Sequence, residues 1–438
     1  MNKQMLIGLG MTGSFGANQR AWLDRSLDVK VHPDFNTDIR AAQLAEQGKF
    51  QFLFLGDFPA TVPQDNSFVG GMALEPIVAS SLIAQATSRI GIAATVATSW
   101  SIPYTLARQF KTLDVMSGGR MAWNAVTGAN PHIAQAFGVT LGDSHSRYEK
   151  AYEFTEMVQN LWASWGETAL KNDKSTQVFA DYSQVQTIAQ QGKYLQSVGA
   201  LPIPPSKQGQ PVIFHSGGSP NNIAYAGRYA SVMIGEVWTI EQGQAIRNAL
   251  RQAAIDNGRN PDEVKFIAGI MPLIADSKRD ALDRHAFFMD ERTLYQRIRH
   301  IGAVLGTHFG FDDLDKPIDP ALLDRVQITP YSDPRAEIVL KIAREGWSLK
   351  DVIHHSVIDY HPAAVGTAYD TADFMTEWFE QGACDGFWVL PDVYEVDLKR
   401  FVEEVVPILQ ERGIYHTDYE GETLREHLGV AYQYGLRK

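Results

Sequence analysis

Eight short apolar runs, which alternate with amphipathic helical patterns along much of the sequence, set the layout of this 438-residue chain. They lie at residues 5–7, 52–55, 90–96, 120–126, 211–215, 231–235, 264–270 and 386–390. Strands that alternate with helices pair in parallel, because each helix carries the chain back to the same end of the sheet. The near-continuous apolar run at 90–96 is typical of a strand buried on both faces. Eight such units predict a closed (β/α)8 TIM barrel, with a doubly wound open sheet as the competing fold.

Two long segments interrupt this alternation. A barrel of this kind needs about 250 residues, so the rest of the chain must be inserted between its units. Residues from about 166 to 210 are polar and contain several prolines, and a second irregular region spans about 285–365. Both are too long for ordinary connections. Because no shift in composition marks a linker, we interpret residues 1–438 as a single barrel domain with two large insertions.

The glycines near the N-terminus raise a different possibility. Gly8, Gly10 and Gly13 have the G-x-G-x-x-G spacing of a dinucleotide-binding turn. That turn requires a helix to begin at the third glycine and a second strand to end in an acidic residue about 20 residues later. Residues 14–19 show no helical periodicity, and Pro33 stands where the second strand is required. We therefore interpret the motif as a barrel strand followed by a glycine-rich loop, and not as a nicotinamide site.

Charge and composition exclude several classes of partner. The net charge of −12 argues against nucleic acid or an anionic membrane, and no apolar run reaches the length of a membrane span. The single cysteine, Cys384, cannot form an intrachain disulfide, and we interpret it as a buried residue beside the last strand. No H-x-x-x-H or C-x-x-C spacing indicates a metal site. We expect a cytoplasmic protein.

Polar residues stand where the predicted strands end, which is where TIM barrels build their active sites. Asp57 follows the second strand, Thr95 lies in the third and Asn124 in the fourth. After the fifth strand, Gly218 and Ser219 precede a helix whose first N–H groups and dipole suit a phosphate. Taken singly, Asp57 could be a loop cap, Thr95 a packed strand residue and Ser219 a plain N-cap. Together they predict a barrel that binds a phosphorylated small molecule.

A capping box is predicted farther along the fourth unit. Ser146 and Glu149 have the S-x-x-E spacing that opens a helix. This places Tyr148 in the first helical turn, from which its phenol could reach a phosphate.

Residues 104–128, YTLARQFKTLDVMSGGRMAWNAVTG, resemble the bacterial-luciferase-like superfamily, specifically its nitrilotriacetate and dibenzothiophene-sulfone monooxygenase branch. Further matches follow along the chain at 48–57, 73–76, 147–154, 218–220, 382–391 and 405–429. The resemblance implies a TIM barrel that receives reduced FMN (FMNH2) from a separate NAD(P)H:flavin reductase, activates O2 and inserts one oxygen atom into a small organic substrate. We also expect a homo-oligomer, either a dimer or a tetramer.

The resemblance also implies roles for particular residues. Flavin contacts would fall on Asp57, Thr95, Asn124, Ser144, Tyr148, Gly218 and Ser219. Ser144 stands where the family often has histidine, with His145 next to it, and the loop at 12–18 lacks the family's histidine. In the second insertion, His308 matches a histidine that reaches over the flavin in sulfone-oxidising relatives. A histidine there could donate a proton near neutral pH, and the alternative is an ordinary surface-loop residue.

Three other functions remain open at this point. The first is a reductase of the same superfamily that uses a deazaflavin, the second is a non-catalytic flavin-binding barrel, and the third is an unrelated barrel hydrolase. For the leading monooxygenase hypothesis, we expect the second insertion to act as a lid that excludes water from the site.

Overall fold

The computed structural model describes residues 4–13, 15–27, 35–60, 74–329 and 331–436. These residues contain thirteen β-strands. In chain order they are β1 (Leu6–Met11), β2 (Phe52–Leu55), β3 (Gly91–Ala97), β4 (Met121–Val126), β5 (Leu170–Asp173), β6 (Val178–Ala180), β7 (Ile188–Gln191), β8 (Gln196–Gly199), β9 (Val212–Ser216), β10 (Val232–Gly235), β11 (Lys265–Ile274), β12 (Ala363–Gly366) and β13 (Gly386–Val389).

The same residues contain fifteen α-helices. They are α1 (Phe35–Gln47), α2 (Pro76–Ala86), α3 (Pro103–Met116), α4 (Pro131–Ala136), α5 (Ser144–Trp162), α6 (Pro220–Tyr229), α7 (Ile240–Asp256), α8 (Lys278–Ala286), α9 (Glu291–Leu305), α10 (Pro320–Leu323), α11 (Ala336–Arg344), α12 (Leu349–His354), α13 (Ala368–Glu380), α14 (Val406–Glu411) and α15 (Leu424–His427). Two π-helical turns, Tyr394–Leu398 and Phe401–Val405, precede α14. No helix in this described part of the chain is both long and apolar enough to span a bilayer.

Eight of the strands close into a parallel barrel in the order β1, β2, β3, β4, β9, β10, β11 and β13. The circle closes because β13 pairs with β1 on one side and with β11 on the other. All eight runs predicted from the sequence form these strands, so the TIM-barrel prediction is confirmed. Buried side chains of the surrounding helices pack against the outer face of the barrel.

Aromatic side chains fill the barrel interior, and two of the N-terminal glycines make room for them. A methyl group at Gly8 would overlap the ring of Phe52, and one at Gly10 would overlap the indole of Trp388. Among the described residues, no α-helix begins before Phe35. The interpretation of this glycine motif as a strand and loop is therefore confirmed. Its first two glycines serve aromatic packing.

The first insertion consists largely of two antiparallel hairpins, β5–β6 and β7–β8. Its chain is held against α5 by the Glu153 carboxylate, which accepts the backbone N–H of Leu195 at 2.6 Å. Most of the hairpin side chains are exposed or half-buried, which explains why the sequence there is polar.

The second insertion is not irregular, and that prediction is wrong. Residues 291–354 form helices α9 to α12 around a buried apolar cluster of their own, which includes Ile298, Val339 and Val352. The amphipathic patterns of α9 and α11 are present in the sequence, but polar turns separate the four helices and break the longer-range pattern. The chain then returns through β12, which pairs with the C-terminal half of β11.

Candidate functional site

A cavity of about 730 Å³ lies at the C-terminal ends of the barrel strands. Its walls include three predicted site residues, Asp57, Thr95 and Asn124. The loop that follows β1 and part of the second insertion cover it from above. The cavity therefore lies where the fold class predicts an active site.

One side of the cavity carries a continuous chain of hydrogen bonds. The Asn124 amide donates to Thr95 Oγ1 at 2.9 Å, and the hydroxyl of Ser216 donates to Asn124 Oδ1 at 3.1 Å. The three residues lie at the ends of β3, β4 and β9, which are neighbours in the barrel. Parallel pairing places Thr95 directly beside Asn124, so adjacent strands fix the geometry.

Asn222, in the first turn of α6, extends this chain away from the cavity. Its side-chain amide lies 2.7 Å from the Tyr148 hydroxyl, 3.0 Å from His215 Nε2 and 2.9 Å from the Ser216 carbonyl. Its Oδ1 accepts the backbone N–H of Ser219 at 3.1 Å, and Ser219 caps the helix in return. We call the connected set Thr95, Asn124, Tyr148, His215, Ser216 and Asn222 the hydrogen-bonded arc.

The protonation state of His215 is determined by its surroundings. Burial lowers the pKa of this imidazole to about 4, so the ring is neutral at physiological pH. Its Nδ1 lies 2.5 Å from the Ala125 carbonyl, which can only accept, so the proton is on Nδ1. Nε2 is then free to accept from Asn222. Burial likewise raises the pKa of Tyr148 to about 12, so the phenol stays protonated.

The structure brings Ser144, Tyr148, Gly218 and Ser219 together beside the cavity, although none of them lines it directly. Ser144 begins α5, and its hydroxyl lies 3.4 Å from Asn221 at the start of α6. The helix begins at Ser144 because Asp143 accepts the N–H of Ser146 at 2.8 Å. The predicted capping box is therefore wrong, and Tyr148 lies in the second helical turn.

Asp57 is the one acidic residue of the predicted set. It lies just after β2 on the cavity wall and is half-buried. Burial raises the pKa of its carboxyl to about 6, and the nearby charge of Glu75 adds to the effect. A carboxyl group with this pKa can exchange protons near neutral pH.

The opposite side of the cavity, formed by β11 and β13, differs in character. His361 and Trp388 line it, and their rings meet edge-to-face with centroids 5.2 Å apart. Both nitrogens of His361 and the indole N–H of Trp388 are buried and lack a hydrogen-bond partner among the described residues. The imidazole occupies space left by Gly269 of β11, where a methyl group would overlap it. We call His361 and Trp388, with the gap at Gly269, the unsatisfied arc.

His361 was not identified from the sequence. It lies in a loop of the second insertion, almost a hundred residues from Gly269 along the chain. Burial lowers the pKa of its imidazole to about 3, so the ring is neutral. The only signal in the sequence is a glycine within an otherwise apolar strand, and such a glycine often marks a close approach by another group.

Polar contacts fix the upper wall to the barrel. His285 of α8 lies 2.6 Å from the carboxylate of Asp392, which follows β13, and 2.7 Å from the Ser356 hydroxyl. Arg297 of α9 pairs with Asp359. The His285 contacts connect the second insertion to the end of β13, and the Arg297–Asp359 pair holds two parts of the insertion together. The cavity therefore has a fixed roof over part of its area.

His308 is not brought to the cavity. It lies in the turn that follows α9, its side chain is exposed, and it is not among the residues that line the cavity. The described residues also contain no group of three His, Cys, Asp or Glu side chains placed to hold a metal ion.

The family model described as luciferase-like monooxygenase matches residues 15–346. The chain belongs to this family. It is 34% identical over 437 residues to the N-acetyl-S-(2-succino)cysteine monooxygenase of Bacillus subtilis, covering 98% of this chain and 97% of the relative. It is also 34% identical over 409 residues to the dibenzothiophene-sulfone monooxygenase of Rhodococcus erythropolis, covering 89% and 88%.

Among solved structures, the EDTA monooxygenase from Chelativorans sp. BNC1 superimposes with a TM-score of 0.83 at 28% identity, covering 98% of this chain and 99% of that one. The resemblance inferred from the sequence motifs is therefore confirmed. The chain is an oxidoreductase of the luciferase-like monooxygenase family.

Proposed function

We propose that the protein is the oxygenating component of a two-component monooxygenase that uses FMNH2, O2 and a small organic substrate. The hydrogen-bonded arc carries this proposal, because it joins the cavity to the start of α6 without a break. The cavity and the start of α6 correspond to the two parts of a flavin mononucleotide, which has a polar ring system at one end and a phosphate at the other.

The residues on this side fit such a ligand. Thr95, Asn124 and Ser216 present polar atoms at the strand ends beside apolar side chains, as a flat heteroaromatic ring requires. Ser219 and Gly218 stand at the start of a ten-residue helix, whose dipole favours a phosphate. Tyr148 and Ser144 lie beside them and supply hydroxyl donors.

The bound reduced flavin would supply the electrons that activate O2. The protein's own contribution is to orient the ring through Thr95 and Asn124 and to hold the phosphate through Ser219 and Tyr148. The roof formed by the second insertion limits the access of water, which favours productive oxygenation over wasteful side reactions. Asp57 can hold or release a proton at its carboxyl oxygen near neutral pH.

Formation of an oxygenated product separates this proposal from the alternatives, because free FMNH2 consumes O2 without any monooxygenase. With NADH, FMN and a general flavin reductase, the protein should form an oxygenated product from a suitable small compound. With NADH and FMN alone, it should form none. Turnover without any reductase would contradict the two-component arrangement. Reduction of a substrate by a deazaflavin without oxygen uptake would favour the reductase, but relatives of 34% identity over nearly the whole chain are named monooxygenases.

A further inference from the structure

Two arginines line the cavity, and their guanidinium groups are used differently. Both terminal nitrogens of Arg297 contact the second insertion: Nη2 pairs with Asp359, and Nη1 donates to the Ile358 carbonyl at 3.3 Å. The guanidinium of Arg20 makes one hydrogen bond among the described residues, from Nη1 to the Phe288 carbonyl at 3.1 Å. A guanidinium carries five N–H donors, so the protein leaves most of those on Arg20 unused.

The accessible part of Arg20 is its terminal edge. Nε is enclosed and lacks a partner, so no ligand can reach it. Nη2 also has no hydrogen-bond partner among the described residues, but it is not one of the enclosed atoms. The side chain as a whole is 15% exposed and lines the cavity. Nη2 is therefore the donor that a ligand in the cavity can reach.

The nearest carboxylate does not occupy this edge. Asp290 Oδ2 lies 3.6 Å from Arg20 Nη1, which is too far for a hydrogen bond. The other oxygen of Asp290 accepts the backbone N–H of Thr293 at 2.7 Å and so caps α9. Within the part of the chain that the structure describes, no carboxylate is hydrogen-bonded to Arg20. Charged guanidinium donors form their strongest hydrogen bonds with carboxylates and phosphates.

The position of Arg20 excludes the flavin phosphate as its partner. The residue lies in the loop that follows β1, and its side chain contacts the turn between α8 and α9. The proposed phosphate site lies at the start of α6, directly after β9. In the closed circle of eight strands, β1 and β9 are four positions apart and therefore lie on opposite sides. An anion that reaches Arg20 must belong to another ligand.

The strand ends favour the less polar part of such a ligand. Two acidic side chains, Asp57 after β2 and Glu236 after β10, line the cavity there and would repel an anionic group. Apolar side chains also line it, among them Phe54, Met271 and Leu390. The cavity is thus basic at Arg20 in its roof, and acidic or apolar at the strand ends.

We propose that the substrate carries a carboxylate group, which binds Arg20 at the roof and directs the less polar part of the molecule toward the strand ends. Arg20 would then select for charged substrates and orient them for reaction. This proposal rests on the proposed monooxygenase function and names the class of substrate for that site.

The first test compares acids with their uncharged esters. N-acetyl-S-(2-succino)cysteine and nitrilotriacetate are tricarboxylates, and the trimethyl ester of each keeps the skeleton without the negative charges. Equilibrium dialysis against the protein, with and without FMN, measures binding independently of turnover. We expect saturable binding of at least one acid and at least tenfold weaker binding of its ester. If neither acid binds better than its ester, the proposal is overturned, even where FMN-dependent oxygenation of an uncharged compound is found.

The second test measures the ratio of acid to ester affinity in Arg20→Gln and Arg20→Lys, with the acid that binds the wild type. Glutamine removes the charge, so the acid should bind at least tenfold more weakly and the ratio should approach one. Lysine keeps the charge and should retain part of the preference. Arg25→Gln is the matched control, since Arg25 is an exposed residue of the same loop that does not line the cavity. It should keep the ratio of the wild type.

The ratio separates recognition of charge from a structural role of Arg20. If Arg20 only holds the roof through the Phe288 carbonyl, Arg20→Gln should weaken acid and ester equally and leave their ratio unchanged. That result would overturn the proposal. Fluorescence titration with FMN should give the same affinity for the wild type and for Arg20→Gln. A loss of FMN affinity as large as the loss of acid affinity would instead assign Arg20 to the flavin, and the proposal would be wrong.

Discussion

The hydrogen-bonded arc and the unsatisfied arc face each other across one cavity but are built differently. In the first, Asn124 donates to Thr95 and accepts from the Ser216 hydroxyl, and Asn222 donates to the Ser216 carbonyl, all without a ligand. In the second, His361 and Trp388 leave three polar atoms without partners among the described residues. The first arc therefore contributes to the stability of the fold, whereas the second carries the cost of buried polar atoms without partners.

The two arcs also differ in how far they reach along the chain. The hydrogen-bonded arc comes from the ends of β3, β4 and β9 and from the first two turns of α5 and α6. The unsatisfied arc depends on a loop of the second insertion that reaches back to Gly269. Changes in an insertion can therefore alter one arc while the barrel keeps the other.

The largest effect is expected from Asn222→Ala. This substitution removes the 3.0 Å contact to the buried His215 Nε2, the 2.7 Å contact to the Tyr148 hydroxyl and the acceptor for the Ser219 N–H, while the 3.5 Å contact between Tyr148 and His215 remains. Losing these hydrogen bonds should lower the free energy of unfolding by about 2–3 kcal/mol. Denaturant unfolding monitored by circular dichroism measures the loss. Asn221→Ala is the control, since its exposed amide makes only a 3.4 Å contact with Ser144. Equal stability of both variants would show that the arc does not stabilise the fold.

A smaller effect, on binding, is expected from Tyr148→Phe. The phenol is proposed to contact the phosphate of FMN, so its loss should weaken FMN binding about tenfold. Riboflavin, which lacks the phosphate, should bind the variant and the wild type equally. Fluorescence titration of both flavins makes the comparison. An equal loss for riboflavin would move the phosphate away from Tyr148 and Ser219.

Whether a part of the fold or of the candidate site could be predicted depended on how far apart its residues lie along the chain. The barrel was predicted because each of its strands and helices has a recognisable pattern within a short stretch of sequence. Asp57, Thr95 and Asn124 were predicted to lie at the cavity because they stand at strand ends. The helices of the second insertion were missed because polar turns separate them and they pack mainly around an apolar cluster of their own. His361 was missed for a related reason: only folding brings it to Gly269. The histidine expected from that insertion, His308, has an equally suggestive glycine-flanked sequence but lies on the surface.

The smallest effect concerns Asp57, which lies at β2 between the two arcs and belongs to neither. Burial raises the pKa of its carboxyl from 3.8 to about 6, so between these pH values the folded protein binds more protons than the unfolded chain. Linkage then requires stability to fall as the pH rises from about 4 to 6.

Asp57→Asn removes this contribution. The variant should match the wild type near pH 4 and exceed its stability at pH 7 by less than about 1 kcal/mol, because solvent screens a half-buried carboxylate. Asp324→Asn, which replaces an exposed carboxylate 3.8 Å from Arg344, is the surface control for the loss of one negative charge. If Asp57→Asn is instead less stable than the wild type at pH 7, the ionised carboxylate has a favourable partner in the folded protein and belongs with the hydrogen-bonded arc.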